Sequence, residues 1–495
     1  MQGPKITWGI SAGGHDAAIA VLKQGEIAFA AHAERYSRHK NDPHICWPLI
    51  RQAFAHGEPD SIVWHEKPWL LRTRAAYAGQ WDDAFGPSPR QQLRGNFLEH
   101  IPIRTVSHHH SHAAGGYYTS GFRDAAVIVV DAVGEWDTLS IWEGHWDQLR
   151  KRASIRYPNS LGLFYSAMTQ RCGFKPNEEE YIMMGLAALG DPQRLEQQIC
   201  DDIIEVTTDW PFFRLRRNLH RGCQWWLPGE TNTADIAAAA QNIFTKIMVS
   251  ICAHARDLVG SNNLVFSGGS ALNCVTNSAL TYSNIWDSIW IMPNPGDAGN
   301  SIGGALAYHG EHIKWQGPYL GHDIPGDYPV HRTLAVLGLG QIVGVANGRA
   351  EFGPRALGNR SLFGDPRDPD IKDKMNTAKQ REAFRPFAPV ILEELAGSYF
   401  DVLGQDHSYM QYTVRCKDPD IYPGIVHVDG TSRLQTVGRA QHPSLWELLV
   451  RWYNSTGCPM LVNTSLNIKG QPLVNTEADA EAFTAAYGIP VFCRD

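Results

Sequence analysis

Cysteine is scarce in this chain and carries no pattern: nine residues in 495, an odd number, with no CxxC pair. That excludes a zinc ribbon and a disulfide framework, and it favours a reducing compartment. Charge of one sign is lacking too. There are 44 Lys and Arg against 51 Asp and Glu, and the net charge of −7 gives no overall pull toward nucleic acid or anionic membrane. The opening stretch MQGPKITWGISAGGHDAA has no basic region followed by an apolar core, so no secretory signal is expected. No uninterrupted apolar run approaches the ~18 residues of a membrane span. The expectation is a cytoplasmic protein without membrane contact.

What is present describes a folded chain. Apolar residues make up 43% and charged residues 19%, which suits a globular protein. A length of 495 residues exceeds one ordinary core and implies two or more domains. The segment KITWGISAGGHDAAIAVLKQGEIAFAAHAERYSRHK reads as three strands broken by glycine turns. Residues 125–130 form a continuous apolar run, the mark of a strand buried on both faces, and Asp131 ends it. Ile236, Ala240, Ile243, Ile247, Ile251 and Ala255 recur at three or four residues and predict a long helix within 232–259. NNLVFSGGSALN and SIWIMPNPGDAGNSIGG each read as strand, turn, helix, which is the ligand edge of an α/β sheet. The Pro- and Gly-rich stretch near 315–340 marks a linker or domain surface, and no internal repeat is visible in the sequence.

Several groups of residues could carry chemistry. SHHHSH places His108 and His112 at i and i+4, on one helical face, where two imidazoles can share an ion. Alone, that pattern suits a polar helix start equally well. Asp131 and Asp297 shift the balance, because each sits where a strand ends and an unpaired carboxylate would be costly. His109 and His110 point elsewhere on such a helix, toward substrate, toward the ligands or toward solvent. Gly268, Gly269 and Asn273 in FSGGSALN, with Gly296 beside Asp297, offer backbone N–H groups to a phosphate or nucleotide, although by itself the motif favours a purely structural tight turn. His15 in SAGGH suits a general acid or base, a substrate contact, or a plain turn.

The charge changes sign locally. Residues 349–385 hold nine Lys and Arg against six acids, including Arg355 and Arg360 in EFGPRALGNRS and Lys379, Arg381 and Arg385 in KQREAFRP. Guanidinium groups grip phosphate and carboxylate in a fixed fork, so a small phosphorylated substrate fits. A nucleic-acid surface would want a wider basic balance and interleaved aromatics. Asn463, Thr464, Asn467 and Gly470 in VNTSLNIKGQPLV add amides and a hydroxyl at a strand-to-turn junction.

Taken in order, GISAGGHDAAIAVL, AERYSRHK, SHHHSHAAGGYYTSGF, DAVGEW, MMGLAALG, FSGGSALN, NPGDAGNSIGGAL, EFGPRALGNRSLFGDPR, KQREAFRPFAPV, HVDGTSRLQTV and NTSLNIKGQPLV resemble the NodU/CmcH O-carbamoyltransferases over nearly the whole chain. The resemblance implies an α/β protein: an actin-like ASKHA domain over 1–325, similar to that of the tRNA threonylcarbamoyladenosine transferase, then a smaller YrdC-like domain over 326–495. It implies ATP, with Mg2+, and carbamoyl phosphate as co-substrates for a carbamoyl-adenylate. The carbamoyl group then passes to a hydroxyl of a small molecule beside a divalent transition metal, usually Fe2+.

By motif, the metal ligands implied are His108, His112, Asp131 and Asp297, and Arg355, Arg360, Lys379, Arg385, Arg433 and Asn467 line the adenylate-forming site. Leu466 and Gln471 stand where the family usually has Phe and Glu. A threonylcarbamoyl-type RNA modifier and a non-catalytic nucleotide-binding regulator are the competing functions, and a homodimer is compatible with the resemblance. Trp64, Trp69, Trp81, Trp210, Trp225 and Trp226 cluster in or beside the least family-like loops, 66–100 and 205–231, where they would stack on an acceptor ring or pack a lid.

Overall fold

The computed structural model describes residues 6–96 and 98–495; residues 1–5, part of the stretch read above for a leader, lie outside the described residues. Contacts divide the chain into two units, one ending at Ala33 and resuming over Asn41–Trp315, the other made of Glu34–Lys40 and Gln316–Asp495. The division therefore lies ten residues earlier than the expected 325/326, and a heptapeptide from the N-terminal region counts with the second unit. The earlier boundary has a physical cause: Tyr319–Ile324 pairs antiparallel with Gly348–Glu351.

The first unit is built on two five-stranded sheets. The first contains β1 (Ile6–Ser11), β2 (Ala18–Lys23), β3 (Glu26–His32), β4 (Ser61–Trp64) and β5 (Ile103–Thr105), in the order β3-β2-β1-β4-β5. The second contains β6 (Asp124–Val130), β7 (Asp137–His145), β8 (Gln148–Arg156), β9 (Asn263–Ser267) and β10 (Ser288–Trp290), in the order β8-β7-β6-β9-β10. In both, the first three strands form antiparallel hairpins and the last two join parallel to the first. The same 3-2-1-4-5 topology thus occurs twice, the duplication that an actin-like domain requires. It is a repeat of topology that leaves no repeat in the sequence.

The parallel centre of the second sheet is buried on both faces, as its composition demands: Ala125 to Val130 are all 0% exposed. Three helices matter to the site and its support: α1 (His108–Ser120), α2 (Thr233–Val259) and α3 (Asn300–His309). Helices α1 and α3 meet through glycines. A Cβ on Gly303 would lie 1.9 Å from Ser111 O, and one on Gly115 would lie 3.2 Å from Gly303 Cα. Only the bare backbone permits this approach, which brings the start of α3 beside α1. Helix α2 buries Ile236, Ile243, Ile247 and Ile251 along the predicted face. It is also, among the described residues, the one helix long and apolar enough to cross a membrane by length and composition, with a mean hydropathy of 1.4 over its best window. Its burial within the first unit accounts for that apolar character.

The second unit is centred on a six-stranded mixed sheet. Its strands are β11 (Val343–Ala346), β12 (Arg360–Gly364), β13 (Ala388–Leu392), β14 (Gln435–Val437), β15 (Met460–Ser465) and β16 (Val491–Phe492), in the order β14-β13-β15-β12-β11-β16. Helices α4 (Ile371–Ala378) and α5 (Pro443–Thr456) bury Ile371, Met375, Leu445, Leu448, Leu449 and Trp452 in the same core as Val343, Phe363, Val390 and Leu461. The whole is α/β, as the sequence predicts.

Candidate functional site

Four side chains from three segments meet at the strand ends of the first unit. Helix α1 supplies His108 and His112, the residue after β6 supplies Asp131, and the turn before α3 supplies Asp297. Their ligand-type atoms all lie within 4.8 Å of one another. His108 Nε2 is 3.1 Å from Asp131 Oδ2 and 3.4 Å from Asp297 Oδ1. His112 Nε2 is 3.2 Å from Asp131 Oδ2, 3.1 Å from Asp297 Oδ1 and 3.1 Å from His108 Nε2. Ligands about 2.1 Å from one first-row ion lie roughly 3.0–3.4 Å apart between octahedral and tetrahedral angles. The spacing and the two-nitrogen, two-oxygen donor set therefore fit a shared divalent ion.

The electrostatics point the same way. Burial opposes an imidazolium at His108, yet the charges of Asp297 and Asp131 outweigh it and raise the group well above its ordinary value. His112 is raised for the same reasons. Burial works against ionised Asp131 and Asp297, but the facing imidazoles hold both below the usual carboxylate range. Acids that stay ionised and histidines that attract positive charge describe a pocket that a cation satisfies.

The surroundings refine this site. Glu135 Oε1 accepts His108 N–H at 3.0 Å and Lys67 N–H at 2.8 Å, so it ties the start of α1 to the segment after β4. Asn300 Nδ2 is 3.0 Å from His112 Nε2. His65 and Glu66 stand close to His108, and the three form a second group of ligand-type atoms; burial pushes the Glu66 carboxyl up to about 7. Sequence reasoning missed all four of these residues. A signal existed for two of them, since His65 and Glu66 directly follow a buried strand, the position that makes Asp131 noticeable.

His15, with 43% of its side chain exposed, is 2.9 Å from Asp16 Oδ2 through Nδ1 and 3.4 Å from Asp297 Oδ2 through Nε2. It lies at the solvent edge of the quartet. His109 and His110 leave the quartet: His109 Nδ1 is 2.7 Å from Ser140 Oγ, and His110 stacks on Trp142 at 5.2 Å. Gly268 has φ of 89°, and a Cβ there would strike Val130 O at 2.3 Å, so this turn packs tightly against the end of β6. Gly269 adjoins Asp131, whereas Gly296 has open space on its Cβ side. The Asn273 side chain is engaged structurally: its Oδ1 accepts Thr276 N–H at 3.0 Å, and its Nδ2 donates to Gln241 Oε1 at 3.0 Å. The tryptophans divide. Trp64 and Trp226 are core residues at 1% and 3% exposure, which removes them from any ring-stacking role, while Trp69, Trp81 and Trp225 are exposed.

The second unit holds a cationic cradle. Lys379 is buried, and its Nζ donates to Ser465 O, to Asn467 O at 2.8 Å and to Asn467 Oδ1 at 3.1 Å. Burial, with the charges of Arg381 and Arg385 nearby, pushes Lys379 well below its ordinary value. Glu382 faces both Lys469 and Arg385, the latter at 3.5 Å. Lys379 thus spends its donors on the Ser465–Asn467 turn, while Arg385 and Lys469 against the one acid Glu382, with Arg381 beside it in the chain, leave a surplus of positive charge for an anionic ligand. Arg355 is half-buried on the Gly353–Leu357 turn, and Arg433 ends the strand Thr431–Arg433 paired with Thr413–Arg415.

Arg360 is placed differently from the expectation of a ligand-lining residue. It is 0% exposed, and its two terminal nitrogens donate to five backbone carbonyls, those of Asn347, Gly348, Asn359, His322 and Asn475, at 2.8–3.1 Å. Such a guanidinium holds loops together and has little left for a substrate. Its neighbour Glu351 does similar work, with Oε1 accepting the N–H groups of Leu357, Asn359 and Arg360 at 2.7, 2.9 and 3.2 Å.

Comparison with known proteins bears on this geometry. Residues 90–306 match the family described as carbamoyltransferase N-terminus, and residues 335–493 match carbamoyltransferase C-terminus. An uncharacterized Synechocystis protein is 33% identical over 95% of this chain and 93% of its own length. Nodulation protein NolO of Bradyrhizobium diazoefficiens is 32% identical over 76% of this chain and 75% of its own. Nodulation protein NolNO of Sinorhizobium fredii is 28% identical over 94% of this chain and 76% of its own. Among solved structures, HypF of T. kodakarensis aligns with a TM-score of 0.37 at 14% identity, over 62% of this chain and 47% of that one.

Proposed function

The chain belongs to the carbamoyltransferase family, and from that premise we propose that it carbamoylates a hydroxyl of a small molecule, using carbamoyl phosphate and ATP. The observation that carries the reading is the pairing of chemistries: a four-ligand quartet in the first unit, and in the second the cations Arg381, Arg385 and Lys469 next to the turn that Lys379 holds. The first brings four ligand-type atoms from three segments within 4.8 Å of one another, and the second sets Arg381, Arg385 and Lys469 around the one acid Glu382.

The atoms balance as follows. Carbamoyl phosphate and water give carbamate and phosphate; carbamate oxygen attacks the α-phosphorus of Mg-ATP, and pyrophosphate leaves. An acceptor hydroxyl then attacks the carbamoyl carbon of the carbamoyl-adenylate, and AMP leaves, taking the bonding electron pair. Arg381, Arg385 and Lys469 offset the phosphate charges of the first stage, and Lys379 holds Asn467, itself bonded through Nδ2 to Gln471 O at 2.7 Å, in place to orient the bound anion. A divalent transition metal, iron first, would be held by His108, His112, Asp131 and Asp297 and would supply Lewis acidity toward the carbamoyl carbonyl or the acceptor oxygen. His15, at the solvent edge of that quartet, is exposed enough to touch the acceptor.

The test is mass spectrometry of a panel of hydroxylated acceptors incubated with the protein, ATP, carbamoyl phosphate and ferrous iron, with AMP and pyrophosphate measured alongside. One AMP and one pyrophosphate per carbamoylated acceptor is the expected result. Product formed equally well without ATP would refute adenylate activation.

A further inference from the structure

Glu34–Lys40 follows β3 in the chain yet belongs to the second unit. Its two arginines hold two turns of that unit, the one that carries Arg355 and the one that follows Asn467. Arg35, 3% exposed, donates from Nη2 to Gly353 O at 3.0 Å. Gly353 opens the turn that carries Arg355, and the far end of that turn is the one gathered on Glu351. Arg38 donates from Nη1 to Leu473 O at 2.6 Å and from Nη2 to Pro472 O at 3.2 Å, with Nε 3.8 Å from Asp479 Oδ1. Pro472 and Leu473 follow the Ser465–Gln471 turn, whose Ser465 and Asn467 are held by Lys379.

Both anchors are held against a cost. Arg35 carries a buried guanidinium, offset by the charges of Glu34 and Glu351. Arg38 has φ of 61°, a left-handed conformation that residues other than glycine avoid. Backbone of that kind persists where its surroundings over-determine it, and it gathers at functional sites.

We propose that Glu34–Lys40 is a component of the activation site, with Arg35 and Arg38 as positioning residues that fix the Arg355 turn and the Asn467 turn in their working places. Residues 316–495 alone then lack a competent site. The inference rests on the carbamoyl-phosphate reading given above. A guanidinium fork suits the two neighbouring carbonyls at Pro472 and Leu473, and a lysine ammonium does not reproduce its geometry.

The experiment uses the full chain and follows carbamoyl-phosphate-dependent exchange of pyrophosphate into ATP, with melting temperature recorded on the same samples. Arg35→Ala is expected to lower exchange about a hundredfold, the scale of a misplaced loop, and free guanidinium ion to restore part of it where ammonium does not. Arg38→Ala is expected to raise KM for carbamoyl phosphate about tenfold with kcat less affected, and Arg38→Lys to recover little of that loss. Should Arg35→Ala fail to fold, Arg38→Ala carries the test, since its side chain is 35% exposed. Folded variants with wild-type exchange and KM overturn the inference, and so does a loss of exchange that follows only the loss of folded protein. A wild-type chain with no carbamoyl-phosphate-dependent exchange overturns the activation reading itself, which keeps the two failures distinct.

Discussion

Replacing Gly303 with alanine tests whether the crossing of α1 and α3 sets the quartet. The added Cβ would lie 1.9 Å from Ser111 O and 2.7 Å from Ser111 C, where ordinary contact begins near 3.4 Å. The obstacle is backbone on both sides, so no side chain can rotate away. Relief requires the helices to part by about 1.5 Å, an overpacking of the kind that costs roughly 1–3 kcal/mol. His112 rides on α1, and Asp297 directly precedes the Asn300 end of α3. If the displacement passes fully to them, their 3.1 Å separation grows to about 4.6 Å, beyond the spacing of two ligands on one ion. Metal affinity should fall at least tenfold to a hundredfold. The melting temperature of the first unit should drop by roughly 2–12 °C at about 2–4 °C per kcal/mol. Gly115→Ala is the internal control: its Cβ meets Gly303 Cα at 3.2 Å, so a few tenths of an ångström suffice and metal affinity should change little. Calorimetric titration of metal-free protein with ferrous iron reads both variants. Wild-type affinity in folded Gly303→Ala protein would refute the argument that this crossing sets the distance.

The other predictions follow from the same geometry. His112→Ala should keep carbamoyl-phosphate-dependent pyrophosphate release and lose the carbamoylated product, while Arg355→Ala should lose both; equal loss of both activities in each variant would argue for one shared site. Arg360→Ala removes a buried guanidinium bonded to five backbone carbonyls, of which Asn359 O keeps the Asn347 N–H; the lost bonds cost several kcal/mol at about 1 kcal/mol each, so calorimetry should show the second unit melting far earlier or not folding. Arg385→Lys keeps the charge and loses the fork, so it should lower kcat/KM with the melting temperature unchanged; a drop in melting temperature with normal kinetics would mark the Glu382 pair as its whole role. Removing metal with a chelator should lower the melting temperature of the first unit, and ferrous iron should restore it, because a ligand of the folded state stabilises by mass action.

Much of this architecture is legible in the sequence because it is locally encoded. A continuous apolar run gives β6, three-to-four spacing gives α2, and the i, i+4 histidines give one face of α1. The convergence of His108, His112, Asp131 and Asp297 is legible because each ligand sits at a strand end or helix start, where α/β sheets present side chains. Other features depend on contacts far apart in the chain. The duplicated topology is a fact of strand pairing, and the two sheets share no visible sequence pattern. Arg360 reads as a ligand contact because arginine beside glycine usually faces a phosphate; nothing local reveals that five carbonyls from 322 to 475 surround it. Asn273 is similar, an amide in a glycine turn whose partners come from α2 and its own helix start. The role of Glu34–Lys40 hinges on partners more than 300 residues away.

Helix α2 also decides how the protein fails when heated. Its 27 residues match a membrane span in length and apolar character, and they remain out of water only while the first unit is folded. Unfolding exposes this long apolar segment to water, so association between chains is expected to outrun refolding. Thermal inactivation would then be a one-way process whose apparent midpoint climbs with scan rate, and a half-life at fixed temperature would describe the protein's durability better than an equilibrium free energy.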